Sequence, residues 1–276
     1  MRISKAGIKF IPALIALCVC IIVLTSCTKK ESNDQYGVYI GAEPEELTGR
    51  SLADIIVIDA QYFDKDDITK LKSSGHTVYT YINIGSIENF RDYYEEYEYL
   101  TLDTYENWED EKWIDVSDPS WQDFISKKAD ELISKGVDGF FVDNCDVYYQ
   151  YRTQEIFEGV SLILNELKEK NTYVLINGGD TFVREYLDRF GKLDNILDGV
   201  NQESVVTCID WENDKFSVNE KDEREYFLEY LQIVMDDGKD AYVIEYTTDK
   251  GIEKEAVSLA GSKGYTVYVA HSLDLK

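Results

Sequence analysis

The sequence predicts a single (β/α)8 TIM barrel of the α/β class, and three observations lead there. Strand-like and helix-like segments alternate from Tyr36 to the end of the chain. The strand-like segments number eight, at 36–40, 54–60, 77–84, 138–143, 173–177, 198–203, 241–246 and 266–270. Several of them stop abruptly at a carboxylate or carboxamide. Eight strands separated mostly by helical patterns suit a closed barrel better than an open sheet. A length of 276 residues also matches one barrel-sized domain.

The chain opens ahead of the barrel. Arg2, Lys5 and Lys9 precede an apolar run at 10–24, shorter than the roughly 20 residues of a membrane span. Leu24-Thr25-Ser26-Cys27 resembles the lipobox of bacterial lipoproteins. The resemblance implies a signal peptide at 1–26, a lipidated Cys27, a tether at 27–35 and a barrel domain at 36–276; an uncleaved signal anchor is the alternative. Several acyl chains would anchor the protein stably to the extracellular face of a bacterial membrane.

Helix boundaries follow from capping chemistry. Asp118 can cap a helix that has Pro119 at its first position and Gly136 just past its end. Trp121, Phe124, Ile125, Leu132 and Ile133 fall on one face of it. The segment 181–190, closed by Gly191, repeats the pattern with Phe182, Val183, Tyr186, Leu187 and Phe190. A later helix carries Tyr226, Phe227, Tyr230, Leu231 and Val234 before Gly238. These stripes are expected to face the barrel.

One connection is too long for a plain β/α link. A long acidic-aromatic insertion follows the third strand, with Tyr93, Tyr94, Tyr97, Tyr99, Tyr105, Trp108 and Trp113 among Asp92, Glu95, Glu96, Glu98, Glu106, Glu109, Asp110 and Glu111. Long loops in compact domains are functional or disordered, and this aromatic content argues against disorder. Residues 113–116 form a candidate extra strand. The rings offer platforms for sugars at the barrel mouth, or a lid packed on itself.

Composition narrows the partners. With 28 basic and 54 acidic residues the formal net charge is −26. Such a chain repels nucleic acid and attracts cations, although the same charge also serves solubility. His76 and His271 are isolated, His76 falling in a helix-to-strand turn, and only Cys145 and Cys208 lie in the domain, so no metal centre or cofactor is expected. Those two cysteines could bridge if their Cα atoms come within about 7 Å. Gly178-Gly179 follows a strand without the spacing of a dinucleotide fingerprint.

The chemistry concentrates at strand ends. In Gly-Val-Asp-Gly-Phe-Phe-Val-Asp-Asn-Cys-Asp-Val-Tyr (136–148) a buried strand stops at Asp143, Asn144 and Asp146. An aspartate there either caps the next helix or serves at a barrel mouth. Gln202 and Glu203 end another strand two strands further on. Strands lie about 4.8 Å apart, so side chains leaning inward from these two ends reach the spacing of a glycosidase carboxylate pair.

These stretches resemble endo-α-1,4-polygalactosaminidases, glycoside hydrolase family 114, and the likeness runs in order along nearly the whole mature chain. The strand-four motif is the 136–148 segment. Tyr81-Ile82-Asn83-Ile84-Gly85-Ser86-Ile87-Glu88-Asn89-Phe90-Arg91 is similar to the family's strand-three motif, and 54–59 and 200–203 also fit. The resemblance implies Asp143 as nucleophile and Glu203 as general acid/base in a retaining endo-hydrolase of α-1,4-linked galactosamine or N-acetylgalactosamine polymers. Asp59, Tyr81, Asn83, Glu88, Asn144, Asp146, Tyr148, Asn177, Gln202, Glu245 and Tyr246 are the expected substrate-binding set. The sequence departs from the family at Phe141, where an acidic residue is common, and at Asn89 and Phe90, where Asp and Trp are common. The expected protein is a monomer that meets the membrane only through its anchor and takes a polysaccharide, cationic by charge complementarity. The alternative is a catalytically silent barrel that binds such a polymer or a cationic solute.

Overall fold

The computed structural model describes residues 35–276 apart from 107 and 214. The expected signal peptide, Cys27 and nearly all of the tether lie outside the described residues. From the first described strand the chain runs β1 (Tyr36–Tyr39), α1 (Pro44–Leu47), β2 (Ile55–Ile58), α2 (Lys65–Ser73) and β3 (Thr77–Asn83). An excursion follows, with β4 (Ser86–Glu88), α3 (Tyr94–Tyr97), β5 (Thr101–Thr104) and β6 (Glu111–Ile114), before α4 (Pro119–Lys135). Next come β7 (Gly139–Asp143), α5 (Val147–Gln150), α6 (Gln154–Glu169), β8 (Tyr173–Asn177), α7 (Asp180–Phe190) and β9 (Gly199–Glu203). A hairpin of β10 (Thr207–Asp210) and β11 (Lys215–Val218) leads to α8 (Lys221–Asp236), β12 (Asp240–Tyr246), α9 (Lys250–Lys263) and β13 (Thr266–Ala270).

Eight parallel strands pair in the order β1-β2-β3-β7-β8-β9-β12-β13. The two ends of that row meet: Tyr39 packs edge-on against Tyr268 with ring centroids 5.8 Å apart. The result is the expected (β/α)8 barrel. Alternation along each strand divides the core in two. Phe140 and Val142 face the helices, while Phe141 faces the interior with Val57, Leu175 and Ile244. Tyrosines fill much of that interior. Tyr36 lies 4.7 Å from Tyr242, and Tyr79 stacks on Tyr173 at 4.9 Å.

The helix caps act as the sequence predicts. The Asp118 carboxylate accepts from Ser120 N at 2.8 Å, and Gly136 takes φ 106° after the last turn of α4. Such an aspartate cap contributes about 1 kcal/mol. Trp121 on α4 donates its indole N–H to Ile84 O at 2.8 Å, which pins the start of the excursion. Two of the expected core aromatics are on the surface instead. Phe190 is 58% exposed and Tyr226 42%, because each sits at the edge of its helix stripe.

The excursion is a three-stranded antiparallel sheet in the order β4-β6-β5. Its added strand begins at Glu111, two residues before the expected start. Tyr97 and Tyr93 pack on Phe124 of α4, each at 4.6 Å, so these rings anchor the sheet to the barrel. The β10–β11 hairpin carries no signal in the sequence reading.

Candidate active site

A cleft of about 690 Å3 opens at the C-terminal ends of the barrel strands. Its described lining holds nine carboxylates, including Asp143, Glu203 and Glu111, against the single guanidinium of Arg91.

The floor is built from strand ends. Asn177 ends β8 between β7, which ends at Asp143, and β9, which ends at Glu203. Its side-chain NH2 donates to Asp143 Oδ1 at 2.9 Å and to Glu203 Oε1 at 2.8 Å. The two N–H bonds of one amide diverge, so these oxygens lie roughly 5 Å apart, the spacing of a retaining glycosidase. The amide has only one way round, because Asn201 Nδ2 donates to Asn177 Oδ1 at 2.7 Å. Asn201 is itself held through Oδ1 by the Tyr36 hydroxyl at 3.1 Å. A buried line of neutral groups thus runs from β1 through β9 to the carboxylate pair. Glu203 Oε2 accepts from Tyr246 OH at 2.6 Å.

Burial pushes the Asp143 carboxyl up to about 8, against its bond from Asn177, with the Glu111 and Glu203 charges adding to the rise and Tyr81 opposing it. Asp146 is pushed up to about 6, again by burial, against the N–H of Gly179. That N–H reaches Asp146 Oδ2 at 3.1 Å, and Gly178 and Gly179 take φ 64° and 68° to present it. The glycine pair therefore cradles a carboxylate. Gly85 allows the close approach of β3 to β7: a Cβ there would stand 1.8 Å from Asn144 O.

A second set of charges lines the side wall. Arg91 Nη1 donates to Asp59 at 2.7 Å and Nη2 to Glu88 Oε1 at 2.9 Å, with all three side chains buried. Burial disfavours the Arg91 charge, but the Glu88 and Asp59 carboxylates more than offset it and raise its pKa. Tyr81 donates to Glu88 Oε1 at 3.2 Å. Two aromatics from opposite excursions meet at the rim, Trp108 after β5 and Trp211 after β10, with ring centroids 5.8 Å apart.

This constellation coincides with a family match. The glycoside-hydrolase family GH114 model matches residues 24–275. The chain belongs to glycoside-hydrolase family GH114. Among solved structures, the glycoside hydrolase domain of PelA from Pseudomonas aeruginosa superposes with TM-score 0.71 at 21% identity, over 89% of this chain and 96% of that one. Aspergillus fumigatus Ega3, solved in complex with galactosamine, gives 0.70 at 17% identity, over 91% and 96%. These two likenesses show the shared fold. An uncharacterized protein of Methanocaldococcus jannaschii is 26% identical over 235 residues, covering 76% of this chain and 65% of the relative.

In this GH114 hydrolase the cleft brings together Asp59, Tyr81, Glu88, Asp143, Asn144, Asp146, Asn177, Gln202, Glu203 and Tyr246 of the expected residues. Asn83 and Asn144 both donate to Glu111 Oε1, at 3.0 and 2.9 Å. Two expected substrate contacts sit elsewhere. Tyr148 is buried and donates to Glu185 at 2.7 Å, its ring against Phe157 and Phe182. Glu245 is 0% exposed and accepts from Val206 N, Thr207 N and Thr207 Oγ1 at 2.7–2.8 Å, tying down the root of the β10–β11 hairpin. Cys145 and Cys208 are both free thiols. Sequence reasoning named Glu111 within the insertion at the mouth without singling it out, and missed Trp211 as a cleft residue and Asn201 as the group that orients Asn177. Only Asn201 had a usable signal, an amide immediately before Gln202 in a strand buried on both faces.

Proposed function

We propose that the protein is an endo-acting, retaining hydrolase of α-1,4-linked galactosamine and N-acetylgalactosamine polymers, with Asp143 as nucleophile and Glu203 as general acid/base. The observation that carries this reading is the Asn177 amide bound to both carboxylates at once. It sets their spacing before any substrate arrives. Asp143 attacks the anomeric carbon while the glycosidic oxygen leaves with a proton from Glu203, giving a glycosyl ester on Asp143. Glu203 then takes a proton from water as that water attacks the ester carbon, which restores the starting anomeric configuration.

Charge favours a cationic chain. Nine carboxylates with one guanidinium make the cleft a strong attractor for ammonium groups. Positive charge arriving near Asp143 stabilises its ionised form and so readies the nucleophile. We further place the protein on the outer face of a bacterial membrane, held by lipid on Cys27. The test is to incubate the 36–276 domain with α-1,4-galactosaminan and follow new reducing ends and the first-formed anomer by NMR. Retained α-anomer from the wild type, with none from Asp143→Asn or Glu203→Gln, supports the reading. An inverted product, or a wild type that binds the polymer without cutting it, overturns it.

A further inference from the structure

Glu111 belongs to no barrel strand, yet it reaches the catalytic floor. The excursion sheet delivers it between the ends of β3 and β7, where Asn83 pairs in register with Asp143. Its Oε1 is fully engaged: Asn83 Nδ2 donates at 3.0 Å, Asn144 Nδ2 at 2.9 Å, and Ser86 Oγ makes a short bond. Its Oε2 receives no hydrogen bond from the described residues, and the side chain lines the cleft. Glu111 makes no ion pair among the described residues.

Directly across the β4–β6 ladder stands Glu88. Side chains of such a pair share one face about 5 Å apart, and like charges there are destabilising. Glu88 is 6% exposed, and its Oε2 accepts no hydrogen bond among the described residues. Arg91 neutralises one charge of the Asp59–Glu88 pair, so with Glu111 the wall keeps two uncompensated negative charges. Three neutral donors fix one face of Glu111 and leave the other face free to accept. That arrangement asks for a cationic donor with several N–H groups.

We propose that Glu111, backed by the buried charge of Glu88, seats the ammonium group of an amino-sugar unit beside the scissile bond. The excursion sheet, rather than the barrel, would then select a free amine over an acetamide. The proposal rests on the glycosidase reading only for the identity of the sugar. Burial, and next to it the Glu88 charge, hold the Glu111 carboxyl above its ordinary range against the bonds from Ser86, Asn83 and Asn144, as expected of a carboxylate waiting for a counter-charge.

Glu111→Gln is the informative change. The three donors keep the carboxamide oxygen at the Oε1 position, which puts an NH2 donor where the free acceptor was. In a Glu203→Gln background, which binds without turnover, calorimetry compares deacetylated and N-acetylated galactosamine oligomers. Adding Glu111→Gln should weaken the deacetylated oligomer about tenfold or more and leave the acetylated one within about twofold. Equal losses for both oligomers, or none, overturn the proposal. Glu88→Gln leaves every Glu111 donor in place and should give a smaller loss, about threefold, again confined to the deacetylated oligomer. The two readings separate cleanly. A wild type that cuts polymer while Glu111→Gln keeps the amine preference overturns the ammonium seat alone. A wild type that cuts nothing, yet binds galactosamine over galactose through Glu111, keeps the seat and removes the hydrolase.

Discussion

Two groups of buried carboxylates share one cleft and are compensated in opposite ways. Asp59 and Glu88 enclose a guanidinium, with Arg91 within 2.7 and 2.9 Å of them. Among the described residues Asp143, Glu203 and Glu111 receive only neutral donors: Asn177, Tyr246, Asn83, Asn144 and Ser86. An amide or hydroxyl orients a carboxylate without cancelling its charge. The first group, with one of its two charges neutralised, is therefore built chiefly to hold the wall together, and the second keeps its full charge in reserve for a substrate. In the second group Asp143 is pushed up to about 8, and burial is the main cause.

The largest expected effect falls on the uncompensated group. Asp143→Asn or Glu203→Gln should lower turnover by about 10^3-fold or more while the fold survives, measured as kcat on galactosaminan. Near-normal turnover would remove that residue from the mechanism. The compensated group should behave the other way round. Arg91→Met strands two buried carboxylates and should cost about 3–5 kcal/mol in urea unfolding. A loss below about 1 kcal/mol would dissolve the distinction between the two groups.

Stability against pH sharpens it further. The folded value of Asp143 lies above the unfolded one, so its contribution is fully present below about pH 4 and is lost as pH rises through about 8. Asp143→Asn removes that loss. The variant should match the wild type near pH 4 and be the more stable by about 5 kcal/mol at pH 8.5. A constant difference across that range would mean that Asp143 ionises normally.

The neutral line behind the pair gives a smaller effect. Asn201→Leu frees the Asn177 amide to flip and should cut kcat by about tenfold with KM little changed. It should also move the pH profile of kcat/KM, which a purely structural loss would leave in place. Salt gives the smallest effect. Attraction of a polycation to the acidic cleft is screened beyond about 10 Å at 0.1 M salt. KM for deacetylated polymer should rise with salt, while contact with the Trp108 and Trp211 rings should not respond, so acetylated polymer should show a flat profile. Equal slopes for the two polymers would end the electrostatic argument.

Much of this molecule could be read from the sequence, for local reasons. A strand buried on both faces must be an apolar run, and it must stop where the polar mouth begins. Ile55–Ile58, Gly139–Asp143 and Tyr173–Asn177 therefore announced themselves, and Asp143 and Glu203 stood out as strand ends. Pro119 and Gly136 bounded α4 because backbone φ and the missing proline N–H act within one turn. The rest depended on register between distant segments. Starting β6 at Glu111 sets that residue opposite Glu88 and beside Asn83 and Asn144, and a slip of one residue would turn it away. Asn201 orients Asn177 only because β8 and β9 pair Asn177 with Asn201. Glu245 and Tyr148 carry the same strand-end and motif signals as true cleft residues, yet backbone amides of the hairpin claim one and Glu185 the other. Period and capping are properties of neighbours along the chain, so sequence alone determined the eight barrel strands, the main helices and the two carboxylates at the mouth. Which partner satisfies a buried polar group is settled by residues tens of positions away, and only the closed barrel with its excursion sheet decided that.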